Sequence, residues 1–377
     1  MRNLFFYGTL RDLPLLEIVM GRGGDDLDVT AAVLRDYKVS SVAQGPFPMI
    51  EHTPGAEAIG VLVRGLMPED IARLDFYEGS FAYDLVAVTL ADGQAAEVYL
   101  PQAGLWRPQG DWSLSQWQAE WGDLSRFAAR EVMGYMGQRS RDEVAALFGR
   151  IRARAAAMVQ AQASQHGAGT FHGAVKVFDH KRVYSKFYAL DEMRLQFEKF
   201  DGSLSAPVER AVFVGTDAAI VLPYDPVRDR VLLIEQIRMG PLVRGDKSLW
   251  QLEPIAGGID PGESPETAAR REAMEEAGLA LGALVPIAQV YASPGNASEF
   301  YYIFLGLADL PDDITGTGGL EGEAEDIRSH VMGFADLMAL VDGIHAANAP
   351  LVLSAYWLAR HRDGLRLANA GDTPDKR

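Results

Sequence analysis

Apolar positions in the first hundred residues come in short runs cut by turn residues. Leu4–Phe6 is an apolar run that stops at Tyr7-Gly8-Thr9-Leu10, Ala58–Arg64 and Leu85–Thr89 alternate or run apolar, and Ala96–Pro101 closes the series. Runs of this length bounded by Gly and Pro predict strands, so the stretch reads as a β-rich module. From about Ser113 to Gln165 the pattern turns helical, rich in Ala, Arg, Glu, Met and Gln, and it decays into a Gln/Ser/Gly-containing segment at 162–169. That change predicts a boundary: a first domain over 1–112, a helical extension and linker over 113–169, and a second domain over 170–377.

In the second domain Ala218–Leu222 and Val231–Ile237 flank a turn-rich stretch, Pro223 to Arg230, which is a hairpin signature. One strongly marked helix follows. Ser264 suits its N-cap, Pro265 its first position, Glu266 the positive end of its dipole, and Gly278 its stop. On this helix Glu272 and Glu276 stand at i and i+4, stacked on one face with Glu275 beside them, and Arg271 can pair with Glu275. Carboxylates so placed repel one another, so the ridge needs solvent or a cation; a solvated acidic face is the bland alternative.

Composition narrows the chemistry. A chain of 377 residues predicts two domains, and its 48% hydrophobic and 23% charged residues are those of a globular protein. With no cysteine, thiolate ligands and thiol nucleophiles are excluded, leaving hard-metal or acid/base chemistry. A formal charge of −17 argues against a nucleic-acid partner. The apolar runs fall short of the roughly 18–20 residues that a membrane span needs, and the N-terminus reads as a first strand, so a cytoplasmic protein with no membrane partner is expected.

Gly257 to Leu279 reads GGIDPGESPETAARREAMEEAGL and resembles the Nudix box at every fixed position, with a small Ala273 where a larger aliphatic is common. The resemblance implies an α/β/α sandwich that hydrolyses a nucleoside diphosphate linked to another group, with Mg²⁺, or Mn²⁺, as cofactor. It implies Glu272 and Glu276 as principal metal ligands, Glu263 and Glu275 as supporting residues, and the Ala256 carbonyl as a further ligand. The flanking segments Pro223–Arg230, Glu235–Arg238, Leu252–Gly257, Ser293–Glu299 and Gly322–Ile327 resemble the ADP-ribose pyrophosphatase subfamily over roughly Val175 to Leu358. That resemblance implies Glu323 as general base in a Gly-rich loop and Glu325 as a metal ligand. It also implies Phe187, Arg210, Arg238, Glu253, Pro294 and Glu299 at the substrate, a small nucleoside diphosphate sugar, and a homodimer exchanging N-terminal strands. ADP-ribose, cleaved to AMP and ribose 5-phosphate, is the expected substrate; a broader nucleoside-diphosphate-sugar hydrolase is the alternative.

Tyr7-Gly8-Thr9-Leu10, Gly45-Pro46-Phe47-Pro48, and Leu74 to Gly79 with Tyr83 resemble the gamma-glutamylcyclotransferase-like fold over residues 1 to 105. This implies a β-barrel with helices, so that the fold class as a whole is α+β in two domains. It also implies a substrate-binding loop at Tyr7, Gly8, Thr9 and Leu10 and a proton-moving Glu78. An active cyclotransferase and a retained fold used for binding or dimerisation both remain open, as does a ligand sensor for the whole chain. The fusion resembles a TrgB-like architecture linked to tellurite resistance. His172, His180 and His330 lack metal-site spacing and read as structural or surface residues.

Overall fold

The computed structural model describes residues 1–78, 83–164, 167, 169–319 and 325–371, and the chain divides into two compact units, Met1–Gln165 and His166–Arg377. Among the described residues no helix is long and apolar enough to cross a membrane.

The first unit runs β1 (Arg2–Phe6), α1 (Leu13–Met20), β2 (Asp28–Val42), β3 (Gly45–Leu66), α2 (Pro68–Glu78), β4 (Tyr83–Thr89), β5 (Ala95–Pro101), β6 (Pro108–Asp111), α3 (Leu114–Trp117), α4 (Asp123–Gly134) and α5 (Arg141–Ala163). Its sheet has the order β4-β5-β1-β3-β2-β6, with β1 antiparallel to β3 and parallel to β5. The long β2–β3 hairpin departs from the sequence reading, which marked only Ala58–Arg64 within it. Asp36 sits at φ 62° and shifts the register between Arg35 and Tyr37, while its carboxylate accepts from the Gly55 amide at 2.8 Å. This bulge breaks the two-residue alternation, and Pro46, Pro48, Pro54 and Gly55 supply breaker signals inside a continuous strand.

The segment 113–169, read as an extension and linker, supplies part of the first unit's core. Trp117, Leu124, Ala129, Val132 and Ile151 pack with Leu4, Leu15, Leu16, Val63 and Leu74. A buried carboxylate joins these layers. Asp12 caps α1 by accepting from the Leu15 amide, and it also accepts from Gln118 at 2.8 Å and from Arg126 at 2.9 and 2.7 Å. A complete capping box, Ser140 with Glu143, starts α5.

The second unit runs β7 (Val175–Ser185), β8 (Ala189–Phe197), β9 (Val208–Val214), β10 (Ala218–Asp225), β11 (Arg230–Ile237), α6 (Met239–Arg244), β12 (Trp250–Glu253), β13 (Ile255–Gly258), α7 (Pro265–Ala277), β14 (Leu284–Tyr291), β15 (Phe300–Leu307), β16 (Thr317–Gly318), β17 (Ile327–Gly333), α8 (Phe334–Asp342) and α9 (Ala349–Gly371). Its main sheet follows β14-β15-β10-β11-β17-β16, with β12 on β11 and β13 on β10. Alternate residues of β10 serve two cores. Ala219 and Val221 meet Ala268, Ala269 and Ala273 of α7, whereas Leu222 and Tyr224 meet Leu337 of α8 and Leu351, Ala355 and Leu358 of α9. The result is the expected α/β/α sandwich. β7, β8 and β9 form a separate antiparallel sheet, bound to the loop before β15 by Phe213 N–H to Asn296 and Ser298 N–H to Phe213.

Candidate active site

The local sequence holds α7 at both ends. The Ser264 hydroxyl accepts from the Thr267 amide at 3.1 Å, Pro265 needs no donor partner at the first position, and Gly278 takes the left-handed conformation at φ 60°. Leu279 N–H then closes onto the Ala273 carbonyl at 2.9 Å. Ala268, Ala269 and Ala273 are fully buried, and their small side chains let the helix lie close on the sheet. The close approach reaches the chemistry at Gly257, where a Cβ would stand 2.0 Å from the Glu272 carboxyl carbon.

Glu276 is 3% exposed and accepts from the Ala256 amide at 3.2 Å. Burial pushes its carboxyl up to about 8, and the charges of Glu272 and Glu325 add to this against the Ala256 hydrogen bond and Arg238. Glu272 is also raised, by burial first and then by Glu275 and Glu325, against its pairing with Arg271. Three carboxylates predicted as metal ligands, Glu272, Glu276 and Glu325, therefore interact as neighbours.

Arg271 gathers the others. It donates to Glu263 at 3.1 and 2.9 Å, to Glu272 at 2.6 Å, to Glu275 at 3.0 Å and to the Gly258 carbonyl at 2.9 Å. Glu263 also accepts from the Asp260 amide at 3.1 Å, so both its oxygens have partners. Among the described residues no group of three or more His, Asp or Glu side chains has the arrangement of a closed metal site; Glu263, Glu272 and Glu275 are drawn to the guanidinium instead. Behind α7, β16 passes so close that a Cβ on Gly318 would meet the Glu276 carbonyl at 2.1 Å. This close approach accounts for the glycine at position 318. Glu323, with Leu320 to Ala324 around it, lies outside the described residues.

Beside the acidic centre stands a charged and aromatic group. Arg238, at the end of β11, donates to the buried Glu253 of β12 at 3.0, 3.0 and 2.6 Å. Although burial works against its charge, the hydrogen bonds and charge of Glu253, with that of Glu276, raise the Arg238 pKa, and Tyr188 contributes too. Tyr301 donates to Glu299 at 2.9 Å, and burial, then Glu299, raises its phenol while Arg238 acts in the opposite sense. Phe187 stacks edge-on against Tyr188 at 4.7 Å, and Tyr188 packs on Phe213. The structure thus brings together Arg238, Glu253, Glu299 and Phe187 with Tyr188 and Tyr301, two residues that the sequence reading passed over. Pro294 is exposed on the loop that β9 anchors. Arg210 is exposed on β9 and donates to the Glu209 carbonyl at 2.7 Å.

The first unit contains a cavity of about 120 Å³ whose lining includes Tyr7, Gly8, Thr9, Leu10 and Glu78. A Cβ on Gly8 would meet Pro48 at 3.0 Å, which explains the glycine between Tyr7 and Thr9. Burial pushes the Glu78 carboxyl up to about 7. Tyr7 and Tyr83 share a hydrogen bond, and burial followed by the Glu78 charge raises the Tyr83 phenol. Gly79 of the Leu74–Gly79 motif lies outside the described residues.

Two families match the chain: the NUDIX domain over residues 215–353 and the AIG2-like gamma-glutamyl cyclotransferase over residues 4–114. The ADP-ribose pyrophosphatase of Escherichia coli strain K12 is 40% identical over 192 residues, covering 51% of this chain and 91% of that protein. The ADP-ribose pyrophosphatase of Haemophilus influenzae is 35% identical over 160 residues, 42% of this chain and 73% of that protein. The GDP-mannose pyrophosphatase of Yersinia pestis strain Pestoides F is 35% identical over 143 residues, 38% of this chain and 71% of that protein. The chain belongs to the Nudix hydrolases, with an AIG2-like cyclotransferase domain preceding the Nudix domain.

Proposed function

We propose that the Nudix domain hydrolyses ADP-ribose to AMP and ribose 5-phosphate. The observation that carries this reading is the buried Glu276, held on the Ala256 amide beside Glu272 and Glu325 and next to the Arg238–Glu253 pair. An acidic centre adjoining a fixed cation suits a substrate whose pyrophosphate needs cations and whose remaining groups need hydrogen bonds.

The donor set is all oxygen and fits Mg²⁺ or Mn²⁺: Glu272, Glu276, Glu325 and the Ala256 carbonyl would hold the ion. Divalent cations there would neutralise the pyrophosphate and lower the pKa of an attacking water. Arg271 fixes Glu263, Glu272 and Glu275 in one network and so orients the carboxylate ridge. Glu263 and Glu275 support the site through that arginine. Arg238 meets the phosphates, with Glu253 fixing its fork. Phe187 and Tyr188 offer faces to adenine, while Pro294 and Glu299 shape the loop beside it. Glu323 is assigned as general base on the family resemblance alone. Arg210 reaches the substrate across the partner in the homodimer we propose.

AMP release from ADP-ribose with Mg²⁺ tests the reading, comparing wild type with Glu276→Gln and Glu323→Gln. Turnover that collapses in both variants is expected. A panel in which GDP-mannose outruns ADP-ribose would replace it with a broader sugar-nucleotide hydrolase. For the first unit we propose a binding role in the cytoplasmic protein.

A further inference from the structure

The short strand β16 is laid directly on the backbone of α7. The bonds that close this helix, Gly278 N–H to Met274 and Leu279 N–H to Ala273, involve neither the Glu275 nor the Glu276 carbonyl, and the last carbonyls of a helix need partners from elsewhere. β16 comes to that place. Gly319 N–H donates to the Glu275 carbonyl at 3.4 Å, and a Cβ on Gly318 would lie 2.1 Å from the Glu276 carbonyl oxygen and 2.8 Å from its carbon. Glu276 thus serves two sides, with its carboxyl in the acidic centre and its carbonyl against β16.

The same two glycines bear on where Glu325 stands. Thr317 pairs with Arg328 and Gly318 with Ile327, so a shift of β16 is passed to the strand that begins two residues after Glu325. Ile327 is fully buried in one core with Ala268, Ala269 and Ala273 of α7, which keeps β17 in register against the helix. Gly319 adopts φ 102°, a backbone that residues with a side chain seldom take. A Cβ there would also meet the Glu325 Cβ at 2.9 Å and its carbonyl oxygen at 3.1 Å. The Glu325 charge in turn acts on both Glu272 and Glu276.

We propose that Gly318 and Gly319 are positioning residues for Glu325: by seating β16 on the carbonyl end of α7 they hold this carboxylate against Glu272 and Glu276, and so set the affinity of the centre for a divalent cation. The proposal rests on the reading of those three carboxylates as metal ligands. At Gly257 the atoms in the way of a Cβ are the end of a flexible side chain, whereas at Gly318 they are helix backbone. A methyl group at 318 must therefore lift the strand from the helix. The lift carries Glu325 away, while Glu272 and Glu276, both on α7, keep their places. Replacing residues that orient metal ligands without touching the ion typically costs about 10- to 100-fold in affinity.

Mn²⁺ binding to the full chain, followed by titration calorimetry and by the electron paramagnetic resonance of the free ion, tests the proposal without recourse to turnover. Gly318→Ala and Gly319→Ala are each expected to weaken binding by roughly 10-fold or more, as is Glu325→Gln. Gly318→Ala added to Glu325→Gln should cost little further, because residues that act through one another are not additive. Gly316→Ala, in the same segment, places a Cβ with nothing within 4 Å and should bind Mn²⁺ as the wild type does. Circular dichroism reports whether each variant is folded. Gly319→Ala, whose nearest obstruction is Glu325 itself, carries the test if Gly318→Ala does not fold. Loss of binding in Glu276→Gln with full affinity in the folded glycine variants, or additive losses in the double variant, would overturn the positioning role alone. A wild type that does not bind Mn²⁺, or whose binding survives Glu276→Gln, would overturn that role together with the metal reading beneath it.

Discussion

A side chain on Gly257 and the Glu272 carboxylate compete for one space: a Cβ at position 257 would lie 2.0 Å from both the carboxyl carbon and Oε1 of Glu272. The obstructing atoms are the end of a flexible side chain, so Gly257→Ala can be accommodated by swinging that carboxylate away. Stability should therefore change little, while geometry at the proposed metal site is lost. Displacements of about 1 Å at a reacting centre can cost on the order of 100-fold. We expect Gly257→Ala to reduce kcat for ADP-ribose by about that factor with Tm nearly unchanged, measured by AMP release and thermal unfolding. Normal turnover in this variant would separate Glu272 from the chemistry.

The Arg238 fork tests substrate contact. Its Nε reaches both Glu253 oxygens and its Nη2 one of them, a geometry that an ammonium cannot copy. Arg238→Lys keeps the charge and loses at least one charge-assisted hydrogen bond, worth about 1.5–3 kcal/mol. The expected result is a rise in KM for ADP-ribose of roughly tenfold or more, with a smaller change in kcat. An unchanged KM would leave the pair with a purely structural part.

Asp12 should dominate the acid response of the first unit. Burial alone would raise its pKa, but the hydrogen bonds from Arg126 and Gln118, the Arg126 charge and the Leu15 amide overcome this and hold it below the usual range. A depressed carboxyl contributes stability that is present above the unfolded value, about 3.9, and is lost as pH falls through the lower folded value. Asp12→Ala also leaves Arg126 without its buried partner, for which about 3–5 kcal/mol of destabilisation is the scale for a removed partner. Arg126 is 23% exposed, which places the expected loss near the lower end. Denaturant unfolding of the full chain at neutral pH and near pH 3 measures both: the gap between wild type and variant should narrow in acid.

Glu78 has the opposite sign. Its folded pKa of about 7 lies above the unfolded value of about 4.3, so stability falls as pH rises through that interval. The wild type should lose up to about 3 kcal/mol across this window relative to Glu78→Gln. Tm differences between the two chains from pH 4 to 8 give the result directly; parallel curves would show that the carboxyl is solvated.

How far the chain could be read in advance depended on whether the signal was local. Everything that shapes α7 lies within Ser264 to Leu279, and the caps, the glutamate ridge and the Arg271–Glu275 pair were all legible there. Tyr301 and Tyr188 were not, because their place beside Arg238 depends on β15 and on the turn before β8 meeting across the fold. The two-residue spacing of Glu299 and Tyr301, which puts both on one face of an extended segment, was the available clue. In the first unit the Asp36 bulge concealed β2, and the cavity residues of α3 to α5 carried no motif. Their role emerges only from packing.

The sheet β7-β8-β9 supports the final prediction. Val175 is 63% exposed, Val177 52% and Val183 49%, and Phe187 and Tyr184 add aromatic surface nearby. A monomer that presents this much apolar side chain on one small sheet leaves unmet the area that association would bury, at about 25 cal/mol per Å². A second copy of the chain is the occupant that the proposed homodimer supplies, and it would also bring Arg210, exposed on β9, towards the partner's site. Sedimentation velocity should give a dimer for the wild type, and Val175→Asp with Val177→Asp should shift it to monomer at micromolar concentration. If Arg210 serves the partner's site, the monomerised variant and Arg210→Ala should both raise KM for ADP-ribose, and mixing Arg210→Ala with Glu276→Gln chains should restore part of the activity. A monomeric wild type with full turnover would remove both the dimer and the shared-site role of Arg210.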